Sequence, residues 1–220
     1  MLTKKSFDFL KDLSKNNNRE WFQTNKKRYE AELKLPYEQF ISNLIEAYKK
    51  LDPQINILPK DAVFRIYRDT RFSKDKTPYK NHVGALISRY GRKGKEFPGH
   101  YIHIEVGRLM LGGGAYFLEK GSLDAIREHI MRNPERFSKI INKPEFIEKF
   151  GEVKGEKNVR IPKDLQAFAK EQPLIANKQF YFMAESPPEN IMGEGAVEYA
   201  MNYFRAGEEL NVFLREALGL

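Results

Sequence analysis

The fold class is decided by the stretch Tyr101-Ile102-His103-Ile104-Glu105-Val106-Gly107-Arg108-Leu109-Met110-Leu111. Apolar residues alternate with other residues on both sides of Gly107, and this period of two is typical of a half-buried strand. Gly107 itself suits a tight turn between two strands. Because strands joined by so short a turn pair antiparallel, the stretch predicts a β-hairpin in the middle of the chain.

Strand and helix patterns continue on both sides of this hairpin. The strand period also marks residues 63–67, 82–88, 159–161 and 179–183. Helical periodicity marks residues 3–50, 123–131 and about 195–218. Helices, then a group of strands, then helices, without regular βαβ alternation, are typical of an α+β fold. We predict a central, mainly antiparallel sheet over about residues 62–112 plus a late strand near 179–185, packed against N-terminal, middle and C-terminal helices.

Length and composition narrow the class of protein further. A chain of 220 residues without internal repeats or a long linker predicts a single domain over residues 1–220. The absence of cysteine excludes disulfides, thiolate zinc sites, iron–sulfur clusters and a cysteine nucleophile. Charged residues interrupt the first apolar run, and no window has the apolar length of a membrane helix. We therefore expect a cytoplasmic protein without a membrane partner, whose oligomeric state and cofactors the sequence leaves open.

The positive charge of the chain is concentrated in one segment. The net charge is +8, and residues 64–95 carry two acidic side chains, Asp69 and Asp75, against ten basic ones. The basic residues are Arg65, Arg68, Arg71, Lys74, Lys76, Lys80, Arg89, Arg92, Lys93 and Lys95. The remainder of the chain is therefore neutral, and an anionic partner is expected to bind this segment.

The arginines of this segment follow a pattern that a strand alone does not require. If residues 64–71 are extended, Arg65 and Arg71 lie on one polar face, whereas Arg68 falls on the apolar face. Two arrangements accommodate Arg68: the strand ends near Tyr67, or Arg68 is partly buried beside a carboxylate. Asp69 and Asp75 are the natural candidates for that partner.

Converging arginines favour binding of phosphate or carboxylate groups, because each guanidinium presents a rigid fork of donors. The predicted anion-binding residues are Arg65, Arg68, Arg71, Lys76, Tyr79 and Lys80. Asp69 is the candidate catalytic base if the domain is an enzyme, a question that the sequence leaves open. Accessory roles are predicted for Tyr67, Asp75, His103 and Glu105. The leading hypothesis is a domain that binds a phosphorylated or carboxylated small molecule at this arginine cluster.

Two alternatives remain open at this stage. In the first, the chain binds nucleic acid: the basic side chains of residues 65–95 follow a phosphate backbone while Tyr67 or Tyr90 stacks on a base. In the second, the arginines serve only the fold, pairing with Asp69, Asp75 and distant glutamates in an internal ion network.

Two other patterns are weaker. His103 and Glu105 share one strand face, but two ligands on one strand do not make a metal site, and His82 is the only plausible third donor nearby. We therefore predict no metal site. The run Gly112-Gly113-Gly114 lacks the Gly-Lys-Ser/Thr and GxGxxG patterns of phosphate loops. A strand-end turn or a close approach of two backbone segments explains it better.

The arginine pattern also carries a family resemblance. Arg65-x-x-Arg68-Asp69-x-Arg71-Phe72-x-x-Asp75-Lys76-x-x-Tyr79 resembles the signature of a bacterial and fungal family catalogued as domain of unknown function 2461. The resemblance extends to Asn18-Arg19-Glu20-Trp21-Phe22, to residues 101–105 and to the three glycines at 112–114. It implies no established activity, substrate or catalytic residue, so it supports the choice of segment and leaves the function open.

Overall fold

The chain adopts an α+β fold in the computed structural model, which describes residues 1–220 apart from the side chain of Asp164. The α-helices, in chain order, are α1 Lys4–Lys15, α2 Arg19–Thr24, α3 Lys26–Arg28, α4 Leu35–Tyr48, α5 Pro59–Ala62, α6 Lys120–Arg132, α7 Pro134–Ile141, α8 Pro144–Phe150, α9 Phe168–Glu171 and α10 Ala196–Ala217. A π-helical segment, Tyr29–Lys34, joins α3 to α4. Short 3-10 turns lie at Gly91–Lys93, Lys163–Leu165, Pro173–Ala176 and Pro188–Ile191.

Four strands form an antiparallel sheet in the order β1-β2-β3-β4. Their bounds are β1 His82–Ile87, β2 Gly99–Glu105, β3 Arg108–Ala115 and β4 Phe180–Ser186. The predicted hairpin is confirmed as β2 and β3, and Gly107 between them has a φ of +75°, a conformation that favours glycine. The predicted late strand is confirmed as β4. Helices lie in the N-terminal, middle and C-terminal parts of the chain, so the predicted fold class is confirmed.

Two predicted strands are wrong. Residues 63–67 make only isolated bridges, Val63 with Ala85 and Tyr67 with Tyr79. The two bridges do not share one antiparallel register, because four positions separate Val63 from Tyr67 whereas six separate Tyr79 from Ala85, so no continuous ladder forms. Residues 159–161 also form no strand. Val159 is fully exposed, so this segment has no apolar face to bury.

Contacts between Cα atoms group the chain into two compact units. The first comprises residues 1–93, 101–111 and 185–202. Within it, α1 buries Phe9, Leu10 and Leu13, and Asn18 caps the start of α2, because its side chain accepts a hydrogen bond from the Trp21 N–H at 2.9 Å. The single domain predicted over residues 1–220 stays a prediction.

The second unit comprises residues 94–100, 112–184 and 203–220. Its core is largely aromatic and includes Phe137, Phe146, Phe180, Phe182 and Phe213, which are fully buried. No helix among the described residues is both long enough and apolar enough to cross a lipid bilayer. The cytoplasmic location expected from the sequence stays a prediction.

The glycine run lies in this unit, where β3 approaches β4 closely. A Cβ on Gly112 would lie 2.2 Å from the Phe182 carbonyl oxygen, and one on Gly114 would lie 2.3 Å from that of Phe180. Gly114 also has a φ of +100°. Of the two explanations that the sequence leaves open, the structure therefore supports a close approach of two backbone segments, since the run lies within β3.

Candidate functional site

The loop formed by residues 68–78 is closed by hydrogen bonds from one arginine. The Arg68 guanidinium donates to the Asp75 carboxylate and to the Thr77 hydroxyl. The hydrogen bond from Arg68, together with those from the backbone N–H and the hydroxyl of Thr77, lowers the pKa of Asp75 to about 2, so this carboxylate is ionised at neutral pH. Both arrangements predicted for Arg68 therefore occur together: the bridged segment ends at Tyr67, and Arg68, only 26% exposed, has Asp75 as its partner.

Arg71 pairs with Asp69 at the surface of the same loop. Its Nε and Nη2 donate to the two carboxylate oxygens of Asp69 at 3.0 and 2.8 Å, in a bidentate contact. Hydrogen bonds from Arg71 lower the pKa of Asp69 to about 2, with a smaller contribution from the charge of Arg65. A carboxylate with so low a pKa is a weak base at neutral pH. The catalytic role of Asp69 stays a prediction, and this pairing weighs against it.

Arg65 and Lys80 differ from the two paired arginines, and we call them the cationic pair. The Lys80 backbone N–H donates to the Ile66 carbonyl oxygen at 2.8 Å, which places Lys80 beside the segment that carries Arg65. Arg65 is exposed, and Lys80 is half-buried with its ammonium 5.4 Å from the centre of the Phe64 ring. Among the residues that the structure describes, no carboxylate forms an ion pair with either side chain.

The surroundings of Lys80 determine its pKa. Burial lowers the pKa of Lys80, and the nearby charge of Arg65 lowers it further. Both effects disfavour the charged ammonium. Negative charge near Lys80 would have the opposite effect to Arg65, because it favours the charged ammonium.

The remaining predicted anion ligands have partners of other kinds. Lys76 Nζ donates to the Thr70 carbonyl oxygen at 3.0 Å. The Tyr79 ring is buried and stacks on Phe22 at 3.9 Å between centroids. Tyr67 lies against Tyr79 at 5.4 Å and is half exposed. Their roles in anion binding stay predictions, and the structure shows Tyr79 packed in the core.

A second group of polar side chains lies on β1 and β2, and we call it the histidine cluster: His82, Tyr101, His103 and Glu105. The Tyr101 hydroxyl lies 3.1 Å from His103 Nδ1, and His103 Nε2 lies 3.2 Å from Glu105 Oε2. The His82 ring stacks on the His103 ring with centroids 4.2 Å apart. Arg108 Nε donates to Glu105 Oε1 at 2.6 Å. Alternation along β2 puts residues 101, 103 and 105 on one face.

Burial keeps the two imidazoles neutral at pH 7. It lowers the pKa of His82 to about 4, with further contributions from the charges of His103, Lys80 and Arg68. Burial also lowers the pKa of His103, although the hydrogen bond to Glu105 opposes this effect. Because Lys80 and Arg68 influence His82, the histidine cluster and the cationic residues belong to one neighbourhood of the first unit.

The structure therefore brings together only part of the predicted site. Arg65, Arg68, Lys80, His103 and Glu105 lie in this neighbourhood. Asp69 is close enough to Arg65 to feel its charge, but its carboxylate is bonded to Arg71 at the surface of the 68–78 loop. Sequence reasoning missed Tyr101. The period of two in β2, which places it on the face of His103 and Glu105, is the signal that points to it.

The chain matches a family of known sequences. A family model described as "Conserved hypothetical protein (DUF2461)" matches residues 5–213. No curated protein and no solved structure matches the chain.

Proposed function

We propose that this chain, which belongs to the DUF2461 family of conserved hypothetical proteins, binds a phosphorylated or carboxylated small molecule through Arg65 and Lys80. The observation that carries the proposal is that the positive charge of Arg65 acts on the ammonium of Lys80, while neither side chain forms an ion pair with a carboxylate among the described residues. Anion binding relieves their repulsion and supplies charge-assisted hydrogen bonds worth about 1.5–3 kcal/mol each. The proposal concerns binding and assigns no reaction.

The proposal assigns anion binding to fewer residues than the sequence predicted. Arg68 and Arg71 already donate to Asp75 and Asp69, so their hydrogen-bonding capacity is partly used inside the loop. Arg68 still contributes positive charge, because its charge is felt at His82. We assign Arg68 to holding the 68–78 loop and to the local field, and we assign direct contact with the anion to the cationic pair.

The test is the thermal stability of the purified protein with a panel of anions: phosphate, pyrophosphate, sugar phosphates, nucleotides and di- and tricarboxylates. A ligand present at 100 times its Kd adds about 2.7 kcal/mol to the free energy of unfolding. We expect at least one anion to raise the midpoint of the wild type, and Arg65→Met and Lys80→Met each to reduce that increase by about half or more. Lys93→Met removes an exposed charge outside the cationic pair and is the matched control. An increase that is as large in both Arg65→Met and Lys80→Met as in the wild type contradicts the proposal.

A specific observation keeps nucleic acid as the second candidate ligand. Tyr67, Phe72 and Tyr90 are exposed, Phe72 to 95%, and they lie in the segment that carries the excess positive charge. Exposed aromatic rings beside basic side chains are the elements with which proteins bind single-stranded nucleic acid.

The two candidates differ in their response to salt. If about five phosphates are neutralised, nucleic-acid affinity falls about 500-fold between about 50 and 200 mM salt. In that case Lys93→Met weakens binding as much as Arg65→Met does. If a small ligand is held by the cationic pair, its affinity should depend only weakly on salt, and Lys93→Met should leave that affinity unchanged.

A further inference from the structure

We propose that His82, His103 and Glu105 form a binding site for one divalent transition-metal ion. One ligand atom of each of these residues lies within 4.8 Å of the ligand atoms of the other two. Ligand atoms on a single tetrahedral zinc ion are about 3.3 Å apart, given bond lengths of about 2.0–2.1 Å. Small rotations of the three side chains therefore suffice to bring them onto one ion. The residues come from two neighbouring strands, whose backbone is fixed by the sheet.

The groups around these ligands have the arrangement that metal sites require. When His103 Nε2 coordinates the ion, its Nδ1–H faces the Tyr101 hydroxyl oxygen at 3.1 Å and donates to it. When Glu105 coordinates through Oε2, its Oε1 remains hydrogen-bonded to Arg108 Nε at 2.6 Å. Partners of this kind orient the ligands of a metal ion and fix the histidine tautomer. Neither Tyr101 nor Arg108 has to move to take this role.

The donor set indicates the class of metal. Two imidazole nitrogens and one carboxylate oxygen suit zinc, iron(II), cobalt(II) or nickel(II), whereas magnesium and calcium prefer oxygen ligands alone. Three protein ligands leave at least one coordination position for water or an anion. The proposal departs from the sequence-based expectation of no metal site, which rested on finding only two ligands on one strand. The neighbouring strand β1 supplies the third ligand, His82.

The metal site goes beyond the proposed anion site and is tested separately from it. None of its three ligands belongs to the cationic pair, so loss of anion binding in Arg65→Met leaves the metal site intact. Conversely, a protein that binds no metal can still bind an anion through Arg65 and Lys80.

The experiment is a titration of tag-free protein, freed of metal by chelation, with Co²⁺ in a buffer without phosphate or carboxylates. We expect visible absorption bands of a coordinated cobalt ion that saturate at one equivalent and that Zn²⁺ displaces. His82→Asn, His103→Asn and the isosteric Glu105→Gln are each expected to weaken binding by at least about 10- to 100-fold, because replacing a ligand costs no less than replacing one of its outer-shell partners. His129→Asn, which changes a histidine on α6 outside the cluster, is expected to leave binding unchanged.

Circular dichroism of each variant shows whether it is folded, and Glu105→Gln provides a test if a histidine variant is not. Failure of the wild type to take up one saturating equivalent of Co²⁺ or Zn²⁺ overturns the proposal. Binding that persists in a folded Glu105→Gln or His82→Asn variant, or that is lost equally in His129→Asn, overturns it as well.

Discussion

Arg65 lowers the pKa of Lys80, adding to the larger effect of burial on the same ammonium group. Removing the charge of Arg65 therefore has a measurable consequence. In Arg65→Met we expect the pKa of Lys80 to rise towards its ordinary value of 10.5 but to remain below it, because burial persists. NMR of isotopically labelled dimethyl-lysine groups as a function of pH measures this pKa. Lys93→Met is the control, and an unchanged pKa of Lys80 in Arg65→Met contradicts the account.

Arg68 and Arg71 are predicted to differ in their effect on stability. Arg68 is mostly buried and closes the 68–78 loop through Asp75 and Thr77, so Arg68→Met is expected to lower the free energy of unfolding by about 1–2 kcal/mol. Arg71 is 77% exposed, and its pair with Asp69 is screened by solvent. Arg71→Met is therefore expected to leave stability unchanged within error. Urea denaturation of both variants measures the difference, and equal effects contradict it.

The buried carboxylate of Glu208, in the second unit, is expected to make the stability of the protein depend on pH in the acidic range. Burial opposes ionisation of Glu208, but its hydrogen bond with His100 and the charges of His100 and Arg215 outweigh burial and lower the pKa to about 2. His100 Nε2 lies 2.7 Å from Glu208 Oε2, and Arg215 donates to Oε1 at 2.5 Å. Because the pKa is lower in the folded state than in the unfolded one, this stabilisation is complete above the unfolded value of about 4.5. It is lost as the pH falls towards 2.

The test is Glu208→Gln. Removing one partner of a buried pair is expected to cost about 3 kcal/mol at pH 7. Between pH values of about 5 and 2, the variant should lose less stability than the wild type does. Glu128→Gln, at an exposed position of α6, is the control and should behave like the wild type. Parallel pH profiles of Glu208→Gln and the wild type would show that this carboxylate does not govern acid stability.

The glycine run gives a prediction about backbone packing. Gly114→Ala places a Cβ 2.3 Å from the Phe180 carbonyl oxygen at a φ of +100°, so we expect a loss of several kcal/mol or failure to fold. Gly121→Ala is the matched control. Gly121 lies in α6 with nothing within 4 Å of the added Cβ, so alanine is expected to stabilise by about 0.5–1 kcal/mol. Thermal denaturation distinguishes the two variants, and a benign Gly114→Ala contradicts the packing described for β3 and β4.

The fold was predictable largely because its strongest patterns are local. The hairpin β2–β3, the late strand β4 and the C-terminal helix were each predicted from the spacing of apolar residues within that element alone. The strands predicted at 63–67 and 159–161 are absent for reasons that lie outside the segments themselves, in the residues that each would have to pair with or pack against. The two bridges of the first segment are out of register with each other, and the second segment has no buried face.

The candidate site was predictable only in part. Charge counting located the cationic segment, but it does not distinguish Arg71, which pairs with Asp69 two residues away, from Arg65, which pairs with no carboxylate among the described residues. The histidine cluster depends on the pairing of β1 with β2, which brings His82 to His103 across 21 positions of the sequence. That register is a tertiary property, so a pattern within one strand supplies only two of the three proposed metal ligands.

The most direct test of the anion-binding account is isothermal titration calorimetry with the anion from the panel that stabilises the wild type most. The comparison is between the wild type, Lys80→Met and Lys93→Met, at about 150 mM salt. We predict that Lys80→Met loses about 10- to 100-fold in affinity, which corresponds to one charge-assisted hydrogen bond, while Lys93→Met binds like the wild type. Equal affinity of Lys80→Met and the wild type, or an equal loss in Lys93→Met, would contradict the assignment of the anion to Arg65 and Lys80.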